Sequence, residues 1–166
     1  IKKAGIEVEV GVLEKECLQH HKRFFTVQNK KRPYIILKWA ETKNGFIAPS
    51  IKEEQMPVWI SNQYSQQLVH KWRSEEHAIL VGTNTVLLDN PMLNIRSWKG
   101  NNPIRVVLDR KLRIPVGLNV LDESEKTIVF IEVVTNNKKK DQDIIFELID
   151  FSENMIELAK KNNPKA

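Results

Sequence analysis

Thr83, Thr85, Asp89 and Arg96 are the residues whose types and spacing most readily suggest chemistry. They follow the apolar run Ala78-Ile-Leu-Val81, which ends in Gly82; Asp89 comes four residues after Thr85, and Arg96 seven after Asp89. The order reads as a buried strand, a tight turn and a short helix start. Thr85 and Asp89, at i and i+4, would share one helix face. Hydroxyls, a carboxylate and a guanidinium set out in this way would hold a polar small molecule at the edge of a sheet. Asp89 also has a plainer reading, because Asp favours the turn into Asn90-Pro91.

Other candidates sit at other predicted strand and helix ends. Lys38 interrupts the apolar run Tyr34-Ile-Ile-Leu-Lys-Trp-Ala40. Either the amine snorkels to water, or a carboxylate or ligand partners it, since an unpaired buried ammonium is costly. Trp59 suits the core, or serves as a platform for a planar ring. Arg73 ends its helix, where a cation suits the dipole; a guanidinium fork also suits phosphate. Arg96 has the same two readings. Asp109 and Arg110 follow a further strand. Ligands of open α/β sheets bind beyond the carboxyl ends of the strands, and these residues fall where that rule expects them.

Other chemistries lack their motifs. His20, His21, His70 and His77 show no metal-ligand spacing and read as structural, so no metal is expected. The single cysteine, Cys17, excludes an internal disulfide and a Cys-pair zinc site. It lies in the helical pattern Leu13-Glu-Lys-Glu-Cys-Leu-Gln, which makes it a packed small hydrophobe or, more sharply, a nucleophile. There is no Gly-x-Gly-x-x-Gly or Walker loop, and no His-x-Glu with Pro-Cys-x-x-Cys.

The elements that must position these residues follow from periodicity. Gly5 to Leu13 alternates apolar and polar, as a half-exposed strand does, and Glu14 to Phe25 reads as a helix. A lone strand and helix cannot bury their apolar faces. Residues 1 to about 30 therefore read as the tail of an upstream domain plus a linker. Tyr34 to Ala40 predicts a central strand covered on both faces. Phe46 to Ala48 and Val58 to Ile60 predict short strands. Ser61 suits the N-cap of a helix running to about Arg73, with Tyr64, Leu68 and Trp72 on one face. His77 to Val81, Ile104 to Leu108, Thr127 to Ile131 and Ile144 to Ile149 predict further strands, and Glu153 to Lys161 a helix. Strands alternating with helices argue an α/β domain with a mostly parallel sheet.

With 166 residues, 41% hydrophobic and 28% charged, the chain suits one domain with a real core. No apolar run approaches the roughly 20 residues a membrane span needs, and no signal-peptide pattern opens the chain. With the lone cysteine, this predicts a cytoplasmic setting. The net charge of +5 fits nucleic acid, phosphorylated ligands or no special partner. Its clusters, Lys30-Lys31-Arg32 and Lys138-Lys139-Lys140, fall in predicted loops and are not interleaved with aromatics. Neither nucleic acid nor membrane is expected as a partner.

Gly5-Ile-Glu-Val-Glu-Val-Gly-Val-Leu-Glu14, Leu37-Lys-Trp-Ala40, Trp59-Ile-Ser61, Arg73, Gly82-Thr-Asn-Thr-Val-Leu-Leu-Asp-Asn-Pro91, Leu93 to Arg96 and Arg105-Val-Val-Leu-Asp109 occur in one order and spacing. Together they resemble the riboflavin-biosynthesis bifunctional deaminase/reductase, at its C-terminal reductase domain and the stretch ahead of it. The resemblance covers residues 5 to about 131.

It implies a dihydrofolate-reductase-like three-layer sandwich with a mostly parallel sheet. Residues 1–30 would be the last deaminase strand and linker, and 31–166 a reductase domain incomplete at its C-terminus. The implied activity is NADPH-dependent reduction of the ribose of a phosphoribosylaminouracil to a ribityl chain. Positions matching Ala40, Trp59, Thr85, Asp89 and Arg110 would contact NADPH. Those matching Pro57, Arg73, Leu93 and Arg96 would contact substrate, and Lys38 and Asp89 would lie beside the reacting carbon. A homodimer through this domain is implied too. Two departures stand out: the family's Ser-Leu-Asp-Gly reads Thr42-Lys-Asn-Gly45, and its Glu-Gly-Gly segment does not appear. A non-catalytic assembly role and a basic nucleic-acid-binding module are the alternatives.

Overall fold

The structure, a computed structural model, describes residues 2–132 and 146–150. The predicted helix at Glu153 to Lys161 and the cluster Lys138 to Lys140 lie outside the described residues. The chain divides into two compact units, Ile1–Trp39 and Ala40–Ala166.

The first unit holds two short helices, α1 (Glu14–His20) and α2 (Lys22–Lys30), broken at His21. The single predicted helix is thus two, and the second runs on into the polar stretch. Lys22 and Arg23 lie over the Tyr34 ring, 5.3 and 5.7 Å from its centroid. Cys17 is exposed on α1 and not packed. The alternating stretch from Gly5 to Leu13 is not a strand, and neither is the apolar run after Pro33. A strand exists only where its N–H and C=O groups find a neighbour. Neither stretch joins the four-stranded sheet, and Ile36 and Leu37 are exposed.

The second unit is built on a four-stranded sheet, β1 (Ala78–Gly82), β2 (Ile104–Leu108), β3 (Thr127–Glu132) and β4 (Phe146–Asp150), in that spatial order. β1, β2 and β3 are parallel, with Gly82 opposite Leu108 and Leu108 opposite Phe130; β4 is antiparallel to β3. The runs Phe46 to Ala48 and Val58 to Ile60 are not strands.

Side chains alternate across the sheet. Val107, Val129 and Ile131 point to the buried face, where Val86, Leu93, Leu112, Ile114 and Val120 complete the core. Leu80 and Leu108, on the opposite face, remain partly exposed. β1 passes directly into α4 (Thr83–Asp89), which buries Thr83 and Val86. Gly82 has φ −90 and room for a Cβ, so the expected tight turn does not depend on glycine.

α3 (Gln63–Glu75) is capped by Asn62, whose side chain accepts from the Ser65 N–H at 2.9 Å; the predicted cap, Ser61, stands one residue outside. Its buried residue is His70, whereas the expected face of Tyr64, Leu68 and Trp72 is exposed. No helix among the described residues is long and apolar enough to cross a membrane.

Candidate active site

The carboxyl ends of β1, β2 and β3 form one rim. Thr83 begins α4 just past β1, Asp109 and Arg110 follow β2, and Glu132 ends β3. Backbone bonds stitch this rim: Asp109 N–H donates to Phe130 C=O at 3.0 Å, and Glu132 N–H to Arg110 C=O at 3.1 Å. Asp109 is fully buried. Its Oδ1 lies 3.0 Å from the Thr83 hydroxyl and its Oδ2 accepts from Ile114 N–H at 2.9 Å. That hydroxyl also lies 2.8 Å from Leu108 C=O, so its single proton serves one acceptor at a time. Asp109 thereby locks the start of α4 to the turn after β2. This is a structural role at the floor of the rim.

Thr85 and Asp89 both stand on α4, as their spacing predicts. Thr85 is exposed and Asp89 half-buried. The partner of Asp89 is Lys52, whose ammonium contacts Oδ1 and also donates to Leu88 C=O at 2.8 Å. Gln55 donates to Leu87 C=O at 2.8 Å. The last carbonyls of a helix lack internal donors, and a cation there suits the dipole. Lys52 and Gln55 thus strap the stretch leading to Pro57 and Trp59 onto the end of α4. Pro57 is half-buried and Trp59 is 58% exposed, so Trp59 is not a core residue. Spacing gave no sign of Lys52, which lies in a loop with no periodicity.

The two arginines meet at Asn94. Arg73, in the last turn of α3, donates to the Asn94 carbonyl, and Arg96 donates to its side-chain oxygen at 2.8 Å. Neither guanidinium has a carboxylate partner among the described residues. Burial, and then the charge of Arg96, push the Arg73 pKa down from its ordinary value. The Arg73 Nε is buried without a hydrogen-bond partner. His70 Nδ1 accepts from the Arg96 N–H at 3.2 Å. Burial, then Arg73, then Arg96, lower its pKa, against the opposing pull of the Asn94 backbone. Leu93 precedes the cluster, buried and with φ 56. A hollow of about 510 Å³ lies alongside, lined by Arg96, Ser97, Trp98 and Lys99. Two adjacent cations, one of them half-buried and neither with an acid partner among the described residues, form an arrangement that an anion would stabilise.

A pair of hydrogen bonds holds the intervening loop. Asn119 donates through its N–H to Asn90 Oδ1 at 2.8 Å, and through Nδ2 to Asn90 C=O at 2.7 Å. Asn90 closes α4 with φ 41, a left-handed conformation that Asn tolerates. Asn119 C=O in turn accepts from the buried Arg105 at 3.0 Å. Arg105 also pairs with Asp122 at 2.7 Å and donates to Ser124 at 2.9 Å. None of these supports was visible in spacing, because each joins segments distant in sequence.

Arg110 is engaged by Glu132, which accepts from its Nε and, at 2.8 Å, from its Nη2. Lys38 is exposed in the first unit, and Ala40 opens the second, half-buried. The second unit therefore brings together Thr85 with Asp89, and Arg73 with Leu93 and Arg96. Arg110 lies on the strand-end rim.

A family model described as RibD C-terminal domain matches residues 33–165. The riboflavin biosynthesis protein RibD of Aquifex aeolicus is 38% identical over 139 residues, which is 83% of this chain and 38% of that protein. RibD of Actinobacillus pleuropneumoniae is 35% identical over 84% of this chain and 36% of its own length. The chain thus spans well under half the length of these relatives. A solved diaminohydroxyphosphoribosylaminopyrimidine deaminase/5-amino-6-(5-phosphoribosylamino)uracil reductase from Thermotoga maritima superposes with a TM-score of 0.70 at 34% identity, covering 97% of this chain and 45% of that one.

Proposed function

Because the chain belongs to the RibD C-terminal domain family and has its dihydrofolate-reductase-like α/β fold, we propose that it is the NADPH-dependent reductase of riboflavin biosynthesis. Its substrate is then 5-amino-6-(5-phosphoribosylamino)uracil, and its product carries a ribityl chain in place of the ribose. The observation that carries this reading is the cationic pair Arg73 and Arg96, joined through Asn94 and without a carboxylate partner among the described residues. A phosphorylated, oxygen-rich substrate supplies the missing anion.

The residues present fit a phosphorylated dinucleotide. The strand-end rim offers the exposed Thr85 hydroxyl and the Arg110 fork, and Trp59 presents a ring face for a planar group. When bound, the dihydronicotinamide supplies the hydride that the anomeric carbon of the sugar accepts. The chain does the rest. Arg73 and Arg96 orient the substrate through its phosphate or uracil oxygens, beside Pro57 and Leu93. Asp89 relays the proton that the sugar ring oxygen, or an imine nitrogen, takes up as the carbon is reduced. Lys52 fixes the Asp89 carboxylate. Ala40 completes the cofactor-contacting set.

Three assignments belong to the same reading. Residues 31–166 are the reductase domain, and the active form is a homodimer acting in the cytoplasm. Fluorescence titration of the protein with NADPH and NADH tests the cofactor assignment. Saturable binding of NADPH supports it; no binding of either nucleotide overturns it and favours a non-catalytic assembly role.

A further inference from the structure

Glu132 ends β3 at the strand-end rim, and its carboxylate takes two donors of Arg110. Nε donates to Oε2, and Nη2 to Oε1 at 2.8 Å. The backbone brings the two residues to the same place, with Glu132 N–H on Arg110 C=O at 3.1 Å. At such strand ends a carboxylate suits the 2′-hydroxyl of an adenine ribose, and an arginine accommodates a 2′-phosphate. This rim holds one of each, locked together.

Resting on the reading of Arg110 as a cofactor contact, we propose that Glu132 is a specificity-determining residue: it competes with the 2′-phosphate of NADPH for the Arg110 fork and offers an acceptor to the 2′-hydroxyl of NADH. The preference between the two nucleotides is thereby narrowed.

Three features support this. The Arg110 side chain is 61% exposed and that of Glu132 24%, so the pair is solvent-facing and held weakly enough to exchange. The Arg110 hydrogen bond holds the Glu132 carboxyl below its ordinary range; burial opposes it, and the charges of Arg110 and Lys111 reinforce it less strongly. A phosphate dianion at Arg110 must therefore either displace a charged carboxylate or lie beside it, and like charges in contact disfavour binding. NADH meets neither obstacle.

The test compares dissociation constants for NADPH and NADH in the wild type, Glu132→Gln, Arg110→Gln and the double variant. Glu132→Gln should shift the ratio toward NADPH by about tenfold, the effect of freeing one charge-assisted pair. In the Arg110→Gln background the same change should shift the ratio by less, because the competition for the fork is already gone and the acceptor for the 2′-hydroxyl and the repulsion of the 2′-phosphate alone remain to be lost. Glu132→Asp keeps the charge but shortens the reach, and should shift the ratio in the same direction by less; it serves if the glutamine variant does not fold. An unchanged ratio, or one moved toward NADH, in a folded variant overturns the proposal while leaving the reductase reading intact. Failure of the wild type to bind either nucleotide overturns both.

Discussion

Lys52 rests its ammonium on the Asp89 carboxylate and donates to Leu88 C=O at 2.8 Å. One side chain, 13% exposed, thus closes the end of α4 and orients the acid assigned to proton handling. The family resemblance implied Lys38 beside Asp89 at the reacting carbon; among the described residues of its own unit, Asp89 is held by Lys52.

Lys52→Met should therefore separate function from stability. The pair is largely buried, and removing the ammonium should cost about 1–3 kcal/mol by leaving the carboxylate without its donor. Misplacement of Asp89 should lower kcat/KM by about tenfold to a hundredfold. Lys52→Arg, which keeps the charge, should recover part of that loss. Thermal melts beside steady-state kinetics decide it: a loss of Tm with unchanged kinetics would make Lys52 a purely structural strap.

Arg73 and Arg96 should differ in the same kind of experiment. Arg96 is exposed, and Arg96→Gln should raise the KM for the phosphorylated substrate by about tenfold with little change in Tm. Arg73 also ties α3 to the Asn94 carbonyl, so Arg73→Gln should raise KM and lower Tm together. Raising the salt concentration should weaken substrate binding in the wild type more than in either variant.

His70 makes stability depend on pH. Its folded pKa lies below the ordinary 6.5, through burial first and then Arg73 and Arg96. The unfolded chain therefore takes up the proton first as pH falls. Stability should be complete above pH 6.5 and decline as pH drops through 6.5 toward the folded value. Protonation also removes the Nδ1 acceptor used by Arg96 N–H. His70→Gln should flatten this part of a Tm–pH profile; an identical slope in that variant would assign the dependence elsewhere.

Asp122 governs a more acidic window. Its hydrogen bond from Arg105 lowers its pKa from 3.8 to about 2. The stability it contributes is present above the unfolded value and lost as pH falls through about 2. Arg105 is fully buried, and its Nε already lacks a partner. Asp122→Ala should cost about 1–3 kcal/mol at neutral pH by leaving the Nη1 donor short of an acceptor. Chemical denaturation at neutral and acidic pH measures both effects.

What the sequence made legible depended on the kind of signal. β1, β2 and β3 were visible because buried parallel strands are near-continuous apolar runs. The run from Tyr34 to Ala40 has the same composition, yet Ile36 and Leu37 are exposed. An apolar run reports a capacity for burial, not the presence of a neighbour to pair with. Ser61 and Asn62 are both good caps, and local pattern could not choose between them. Arg105 was hidden because a charge inside an apolar strand declares itself only through its partners, here Asn119, Asp122 and Ser124. The pairings of Lys52 with Asp89 and of Arg110 with Glu132 join residues 37 and 22 positions apart, which no local periodicity encodes.

The most direct measurement is the rate at which dihydronicotinamide absorbance falls when the protein is mixed with NADPH and 5-amino-6-(5-phosphoribosylamino)uracil, with the product identified by mass. The account predicts substrate-dependent consumption of one NADPH for each ribitylamino product, lost in Asp89→Asn and weakened in Arg96→Gln. Saturable NADPH binding without any turnover of this substrate, by a folded protein of native oligomeric state, would contradict it.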